Sequence, residues 1–248
     1  MQFLKRILPS RARALPRPEH TLAVIGDLHG RSDLLELMIG MISENAGTDL
    51  TLVFVGDYID RGENSAQVLI SLQALQSYIW PSNVICLKGN HEAMMLAFLD
   101  APEEVGAFWL ENGGTSTLAS YGISLPDRKP ASLINASDAL RSLLSDGTES
   151  WLRRLPSSHH SGNVFVAHAG ADPHEPLEDQ EEEHLIWGHP DFLTTPRHDN
   201  SWVAHGHWIS TEPSAENGRI SVDTGAYATH RLTAALIAGG TCHFLTTG

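Results

Sequence analysis

The sequence contains little cysteine and has no long apolar run. Its two cysteines, Cys86 and Cys242, are too few for a disulfide framework, which favours a reduced, cytoplasmic location. No apolar run reaches the roughly 18 residues that a membrane-spanning helix needs, so we expect no membrane span. The 248 residues, 42% of them hydrophobic, suffice for one large core, and we predict a single domain.

Positive charge is also scarce. The chain has 16 Lys and Arg residues against 30 Asp and Glu residues, and its formal net charge is -14. Surfaces that bind nucleic acid need a basic footprint, so we expect no nucleic-acid partner. An anionic substrate would need local positive charge, which bound cations could supply. The 14 histidines, a high count, point in the same direction.

The basic residues cluster at the start of the chain. Residues 1–18 contain no acid and five basic side chains, namely Lys5, Arg6, Arg11, Arg13 and Arg17. Their apolar stretch is too short and too interrupted for a secretory signal. We predict a basic N-terminal tail over residues 1–18, followed by one domain over residues 19–248. A short amphipathic anchor and an arm that contacts a partner are the alternatives for the tail.

Short runs of apolar and β-branched residues, each closed by glycine, predict three buried strands at residues 20–26, 49–56 and 83–89. Apolar residues at helical spacing fill the two connections between them. This alternation predicts right-handed βαβ crossovers and a parallel sheet. Ligands of such sheets bind beyond the carboxyl ends of the strands.

The remaining pattern indicates a helical insert and a second set of strands. Residues 93–155 are mostly helical in pattern, and we interpret them as a helical cap whose tryptophans, Trp109 and Trp151, lie in the core. Strands resume near residues 163–169 and 201–206. The end of the chain is typical of antiparallel meander strands, at residues 219–224, 232–238 and 242–245. The expected whole is a sheet sandwich flanked by helices.

The first predicted strand ends in the motif GDLHG, which contains Asp27 and His29. Side chains at i and i+2 of an extended segment point the same way, so one oxygen and one nitrogen can reach a single cation. This pair of ligands suits Mn²⁺, Fe or Zn²⁺. A glycine-bounded turn with an Asp that caps the next helix would have the same sequence.

Four later strand ends also offer metal ligands. The second strand leads into GDYIDRG, where the carboxylate of Asp57 could bridge two cations. The third strand leads into GNHE, which follows Lys88 and offers the amide oxygen of Asn90 beside the imidazole of His91. Two further strands lead to His168 and His207. Five strand ends therefore present potential ligands at one edge.

In their order, the motifs GDLHG, GDYIDRG, GNHE, HAG and GH resemble the phosphoprotein phosphatase family of the calcineurin-like metallophosphoesterases, especially its bacterial members. The resemblance extends from about Val24 to Tyr227. It implies an α/β fold, a sandwich of two mixed β-sheets flanked by helices with a helical cap insert. It also implies two divalent metal ions, Mn²⁺ first and Fe or Zn²⁺ as alternatives. The implied ligands are Asp27 and His29 for one ion, Asp57 as the bridge, and Asn90, His168 and His207 for the other.

The same resemblance implies a phosphoric monoester hydrolase. Two ligand carboxylates against two divalent cations would leave about two positive charges, which matches a phosphate dianion. Hydroxide held by both metals would attack phosphorus without a covalent phosphoenzyme. His91 is implied as the general acid, with Asp60 orienting its ring and Arg61 gripping phosphate oxygens. A local salt bridge between Asp60 and Arg61 is the alternative. For Glu92 we expect a capping or structural role.

Two positions depart from the family pattern. Lys88 stands where arginine is common before GNHE, and it keeps the charge but loses the bidentate fork. His189 replaces a common arginine in the segment LIWGH, where it could bind phosphate when protonated or be a loop residue without contact. Tyr227 follows a turn where the family contacts substrate. Lys88, His189 and Tyr227 are therefore candidate substrate-binding residues together with Arg61.

The expected substrate is a phosphoprotein or phosphopeptide, with phosphoserine, phosphothreonine or phosphotyrosine, or a small phosphate ester. Hydrolysis of a nucleotide by a symmetrical diadenosine tetraphosphatase is the alternative, although those hydrolases typically read GNHD and lack the carboxylate of DRG. A catalytically silent metal-binding scaffold is a third hypothesis, motivated by Lys88 and His189. The six ligands and the pair His91 and Asp60 favour an enzyme.

Overall fold

The computed structural model describes residues 13–46, 50–79 and 83–248. These residues form two sheets of five strands each. In chain order the strands are β1 (Leu22–Ile25), β2 (Thr51–Phe54), β3 (Val84–Cys86), β4 (Ser158–Ser161), β5 (Val164–Ala167), β6 (Trp202–His205), β7 (Ser214–Glu216), β8 (Arg219–Ser221), β9 (Thr233–Ala238) and β10 (Thr241–Thr246). The first sheet has the order β10-β9-β1-β2-β3 and the second the order β4-β5-β6-β8-β7.

Helices pack against the outer faces of both sheets and fill the long connection between β3 and β4. They are α1 (Ser32–Ala46), α2 (Ser65–Ala74), α3 (Asn90–Asp100), α4 (Pro102–Trp109), α5 (Thr115–Ser120), α6 (Pro130–Leu143), α7 (Thr148–Arg153), α8 (Glu182–Trp187) and α9 (Ala226–Thr229). A π-helical turn, Leu110–Gly114, joins α4 to α5. Within the described ranges, no helix is both long and apolar enough to cross a bilayer.

The predicted fold class is confirmed, because each sheet mixes parallel and antiparallel pairs and helices flank the sandwich. The predicted parallel pairing of the first three strands is also observed. The predicted C-terminal meander is wrong, since β8 joins the second sheet parallel to β6 while β9 and β10 form a hairpin against β1. Apolar alternation indicates a strand but does not select its partner.

Alternation along β1 explains how the first sheet holds two cores. Successive side chains of a strand point to opposite faces. Ala23 and Ile25 belong to the cluster that the helices cover, and Leu22 and Val24 belong to the cluster between the sheets. Val166 of β5 lies in that second cluster. Both faces of β1 are therefore buried, which is why its sequence is apolar throughout.

Loops at the carboxyl ends of the parallel strands are tied to one another by backbone hydrogen bonds. The amide of His29, after β1, donates to the carbonyl of Asp57, after β2, at 2.8 Å. The amide of Gly206, after β6, donates to the carbonyl of His168, after β5, at 2.9 Å. The fold thus gathers the motif-bearing strand ends of each sheet.

Several of these loop residues adopt the left-handed backbone conformation, which residues other than glycine rarely adopt. Eight non-glycine residues of the described chain have positive φ, and five of them are predicted site residues. Their φ values are 42° for His29, 53° for Asp57, 72° for Asp60, 67° for Arg61 and 61° for His207. Such conformations cost about 1 to 3 kcal/mol each and persist only where neighbouring groups hold them.

Residues 13–18, the described part of the predicted tail, lie against the second sheet. The indole N–H of Trp202 donates to the carbonyl of Ala14 at 2.7 Å, and the side-chain amide of Asn163 donates to the carbonyl of Leu15 at 3.0 Å. Arg13 donates to the carbonyl of Ser201 at 2.7 Å. Residues 1–12 of the predicted tail lie outside the described residues.

The carboxylate of Glu92, at the start of α3, binds the loops after β2 and β3 together. One oxygen accepts the amides of Gly89 and Asp57, both at 2.9 Å, and the other accepts the amide of Tyr58 at 2.8 Å. Glu92 is fully buried, and burial raises its pKa to about 7. The expected structural role of Glu92 is therefore to satisfy three backbone donors that would otherwise be buried without partners.

Replacing Glu92 by glutamine should lower the free energy of unfolding by about 2 kcal/mol, because an amide NH₂ cannot accept the N–H that the lost oxygen held. Chemical denaturation with chelator present measures this loss without a contribution from metal affinity. Glu104→Gln, the same change on an exposed face of α4, is the matched control and should shift stability by less than about 0.5 kcal/mol. Equal shifts in the two variants would contradict this role.

Candidate metal centre and catalytic residues

The carboxylate of Asp57 lies at the centre of the site. One of its oxygens is 3.3 Å from Nε2 of His168, and the other is 3.5 Å from Nε2 of His29. Asp57 belongs to two groups of residues that could each hold a metal ion, and within each group the potential ligand atoms lie within 4.8 Å of one another. One group is His29, Asp57 and His91, and the other is Asp57, His168 and His207. A carboxylate with one oxygen toward each group has the geometry of a bridging ligand.

The second group gathers atoms that carry lone pairs. Nε2 of His168 is 2.9 Å from Oδ1 of Asn90 and 3.2 Å from Nδ1 of His207, and that Nδ1 is 3.2 Å from the same Oδ1. Burial lowers the pKa of His207 to about 4, so its ring is neutral at pH 7. Imidazole nitrogens and an amide oxygen that converge in this way fit a cation between them.

The imidazole of His29 is oriented for the first group. Its Nδ1 is 2.8 Å from the carbonyl oxygen of Ile59, which can only accept, so Nδ1 carries the proton and Nε2 is free to bind a metal. Burial lowers the pKa of His29 to about 3, although Asp57 opposes the shift. His29 therefore has a neutral ring with a fixed tautomer.

Asp27 lies beside these groups, at the junction of the two sheets. Its carboxylate accepts the amide of His207 at 3.1 Å, and a side chain on Gly206 would overlap that carboxylate. Burial raises the pKa of Asp27, and repulsion from Asp223 and Asp57 raises it further. Asp223, which follows β8 and was not predicted as a site residue, is thus a further buried carboxylate near the site, in addition to Asp27, Asp57 and Asp60. Crowded carboxylates beside neutral imidazoles fit divalent cations.

Asp60 and His91 form the predicted pair. Nδ1 of His91 is 2.7 Å from Oδ2 of Asp60, and Nε2 of His91 faces Oδ2 of Asp57 at 3.8 Å and the guanidinium of Arg61 at 3.3 Å. Burial lowers the pKa of His91, but Asp57 and Asp60 together outweigh it and the net shift is upward. Asp60 therefore bonds to His91 instead of forming a salt bridge with Arg61.

Arg61 and Tyr227 lie together at the mouth of the site. The guanidinium carbon of Arg61 is 4.8 Å from the centre of the Tyr227 ring, and that ring is 5.3 Å from the ring of His29. The structure brings both of these predicted substrate-binding residues to the metal-ligand cluster. A guanidinium stacked on an aromatic ring can still direct N–H donors at its edge toward a phosphate, here those that do not face His91.

Lys88 and His189 have other partners. The ammonium of Lys88 is 2.9 Å from a carboxylate oxygen of Glu182 on α8. Nδ1 of His189 accepts the amide of Asp191 at 3.1 Å, and its Nε2 is 3.6 Å from a carboxylate oxygen of Asp172. These contacts do not involve the metal-ligand cluster. The two departures from the family pattern are thus held by acidic neighbours.

Two residues of the helical insert reach the site without having been predicted to do so. The indole N–H of Trp109 donates to Oδ2 of Asp60 at 2.9 Å, and the hydroxyl of Thr117 donates to Oδ1 at 2.6 Å. Trp109 is fully buried, as expected for a core residue. Its polar atom nevertheless serves Asp60, a role that apolar periodicity cannot indicate.

The sequence is similar to those of known phosphatases and nucleotide hydrolases. The sequence is 41% identical over 91 residues to serine/threonine-protein phosphatase 2 of Escherichia coli, a match that covers 37% of this chain and only 37% of that relative. It is 26% identical over 234 residues to the asymmetrical bis(5'-nucleosyl)-tetraphosphatase PrpE of Oceanobacillus iheyensis, covering 85% of this chain and 86% of that protein.

Two solved structures share the fold. One, provisionally named a diadenosine tetraphosphatase, has a TM-score of 0.64 at 22% identity and covers 94% of this chain and 96% of its own. The other, a cold-active protein tyrosine phosphatase of a psychrophilic Shewanella species, has a TM-score of 0.56 at 16% identity, covering 99% and 88%. The profile of the calcineurin-like phosphoesterase domain matches residues 20–229, and the chain therefore belongs to the calcineurin-like phosphoesterase family.

Proposed function

We propose that this protein is a metal-dependent phosphatase that hydrolyses phosphate monoesters, with phosphoserine and phosphothreonine in proteins or peptides as the first substrates to test and phosphotyrosine as the next. One observation carries the proposal: the carboxylate of Asp57 is shared by two groups of metal ligands, and the pair of Asp60 and His91 stands beside it. This geometry supports a role for His91 as proton donor next to the position where two cations would hold a phosphate.

Different residues would bind the metals, bind the phosphate and donate the proton. Asp27, His29, Asp57, Asn90, His168 and His207 would hold two divalent cations, of which Mn²⁺ is the first to test. Bound there, the cations would activate water and neutralise phosphate charge. Arg61 would bind phosphate oxygens through the N–H donors that do not face His91. His91, with Nδ1 bonded to Asp60, would protonate the leaving oxygen through Nε2.

Hydrolysis of dinucleoside polyphosphates is the second candidate, because the relative PrpE matches 85% of this chain. The charges near the site favour the monoester. A chain of several phosphates needs several cations, whereas the ammonium of Lys88 is already bonded to Glu182 at 2.9 Å. Among the described residues near the cluster, Arg61 is the guanidinium that lacks an acidic partner.

Turnover should require both the metal and Asp57. Phosphate release from p-nitrophenyl phosphate should rise on loading with Mn²⁺, vanish with chelator, and fall at least about 100-fold in Asp57→Asn, because loss of a bridging ligand weakens both metal sites. Calorimetric titration with Mn²⁺ should detect weaker binding in the same variant. Asp138→Asn, the same change on the exposed side of α6, is the matched control. Wild-type turnover by Asp57→Asn would overturn the proposal.

Removal of the Arg61 guanidinium should raise KM for a phosphoserine peptide about tenfold, equivalent to about 1.4 kcal/mol of lost phosphate binding. Lys88→Ala and His189→Ala should change KM by less than about twofold, because the contacts of both side chains lie away from the metal-ligand cluster. Steady-state kinetics at pH 7 measure all three. A larger effect of Lys88→Ala than of Arg61→Ala would show that Lys88 leaves Glu182 to bind substrate.

The two candidate substrate classes should separate in direct competition. We expect kcat/KM for a phosphoserine or phosphothreonine peptide to exceed that for diadenosine tetraphosphate by at least about tenfold, a difference of about 1.4 kcal/mol in transition-state binding. Phosphate release and chromatography of the nucleotide products measure the two reactions in one sample. The reverse order would favour the polyphosphatase, and loss of all turnover despite bound Mn²⁺ would favour a silent scaffold.

A further inference from the structure

The corner between α4 and α5, residues 109–117, supports the backbone of Asp60 and Arg61. Both residues have positive φ, 72° and 67°, a conformation that needs support from its surroundings. Within this corner, the carbonyl of Gly113 accepts the amide of Arg61 at 3.3 Å, and the hydroxyl of Ser116 donates to the carbonyl of Arg61 at 3.2 Å. The hydroxyl oxygen of Thr117 accepts the amide of Asp60 at 2.9 Å. The insert thus supplies partners for three backbone groups of this strained dipeptide.

The same corner holds the carboxylate of Asp60. The indole N–H of Trp109 donates to Oδ2, the oxygen that also bonds to His91, and the hydroxyl of Thr117 donates to Oδ1. Indole is only a donor, and the Thr117 hydroxyl has one hydrogen to give while its oxygen accepts the Asp60 amide. Trp109, Thr117 and Asp60 are all 0% exposed, so solvent cannot replace these bonds.

Three donors therefore fix both oxygens of one carboxylate. A carboxylate held by two donors besides the imidazole cannot rotate without losing a bond in a buried place. The orientation and tautomer of a histidine follow from the group that its other nitrogen bonds. If the carboxylate of Asp60 rotated, Nδ1 of His91 would lose its hydrogen-bond acceptor. The imidazole ring could then rotate, and its Nε2 would no longer point toward the reacting atoms.

We propose that Trp109 and Thr117 are positioning residues for proton transfer, and that they hold Asp60 so that Nε2 of His91 stays directed at the ester oxygen of the substrate. The inference rests on the proposed phosphatase activity. It assigns to the helical insert a part in catalysis itself. It also favours one substrate class, alkyl phosphate esters such as phosphoserine and phosphothreonine, because their leaving oxygen is strongly basic and needs a proton.

The reaction is hydrolysis of an alkyl phosphate monoester by one water molecule. The bond from phosphorus to the ester oxygen breaks, a bond from phosphorus to the oxygen of water forms, and the products are an alcohol and hydrogenphosphate. The ester oxygen takes its proton from Nε2 of the doubly protonated His91 ring, while Nδ1–H keeps its bond to Asp60. His91 regains a proton from solvent, and the attacking water releases one.

The test compares two leaving groups in the full-length, Mn²⁺-loaded protein at one fixed pH. Trp109→Phe removes the indole N–H, and Thr117→Val removes the hydroxyl with almost no change of shape. Each should lower kcat for a phosphoserine peptide about 10- to 100-fold, with KM changed less than about twofold. The loss with p-nitrophenyl phosphate should be at least about fivefold smaller, because nitrophenolate leaves without a proton.

Two further variants separate positioning from a general effect on structure. Thr117→Ser keeps the hydroxyl and should recover most of the kcat for the peptide. Trp151→Phe, another tryptophan of the insert, removes an indole N–H that bonds to Gln76 at 2.7 Å, away from Asp60, and is the matched control. Equal losses on both substrates, or a peptide loss in Trp151→Phe as large as in Trp109→Phe, would overturn the inference.

A spectroscopic measurement tests the inference without turnover. In the parent, the Nδ1–H proton of His91 should give a far-downfield NMR resonance, as a proton bonded to a buried carboxylate does. That resonance should shift or disappear in Trp109→Phe and Thr117→Val and persist in Trp151→Phe and Thr117→Ser. A resonance unchanged in both loss variants would overturn the positioning role. An inactive parent would overturn the proposed function alone, since the resonance would still decide the role of Trp109 and Thr117.

Discussion

The position of one buried carboxylate, that of Asp57, determines the rest of the site. It lies where β2 ends, and its two oxygens face ligands supplied by both sheets. The room for it comes from Gly89, where any side chain would overlap the carboxylate. A charge buried this deeply is costly unless other charges compensate it. The neutral rings of His29 and His207 cannot do so, and this makes the pocket suited to divalent cations.

Holding the ligands in place requires backbone conformations that are unfavourable by themselves. His29, Asp57 and Asp60 all have positive φ, and each is held by hydrogen bonds from another element. Glu92 accepts three amides of the loops after β2 and β3, and the corner between α4 and α5 secures Asp60. The site is therefore rigid because its neighbours fix it, which is the condition for preorganised catalysis.

The substrate side of the site is less cationic than the sequence motifs indicate. Lys88 is bonded to Glu182 of α8, and His189 faces Asp172. Positive charge at the mouth then comes from Arg61, stacked on Tyr227. In an acidic protein with a net charge of -14, an anionic substrate would thus meet only a small, local positive field. Such a field suits one phosphate group better than a chain of several phosphates.

Residue pattern alone predicts the α/β class, the parallel strands and the strand ends that carry the candidate ligands, because periodicity and glycine-bounded turns are local signals. The partner of β8 follows only from the folded structure, since register depends on distant strands. The folded structure also decided the roles of Trp109 and Thr117, which are 49 and 57 residues from Asp60 in the chain. A buried indole looks like any other core residue in a sequence, and only folding shows which acceptor its N–H reaches.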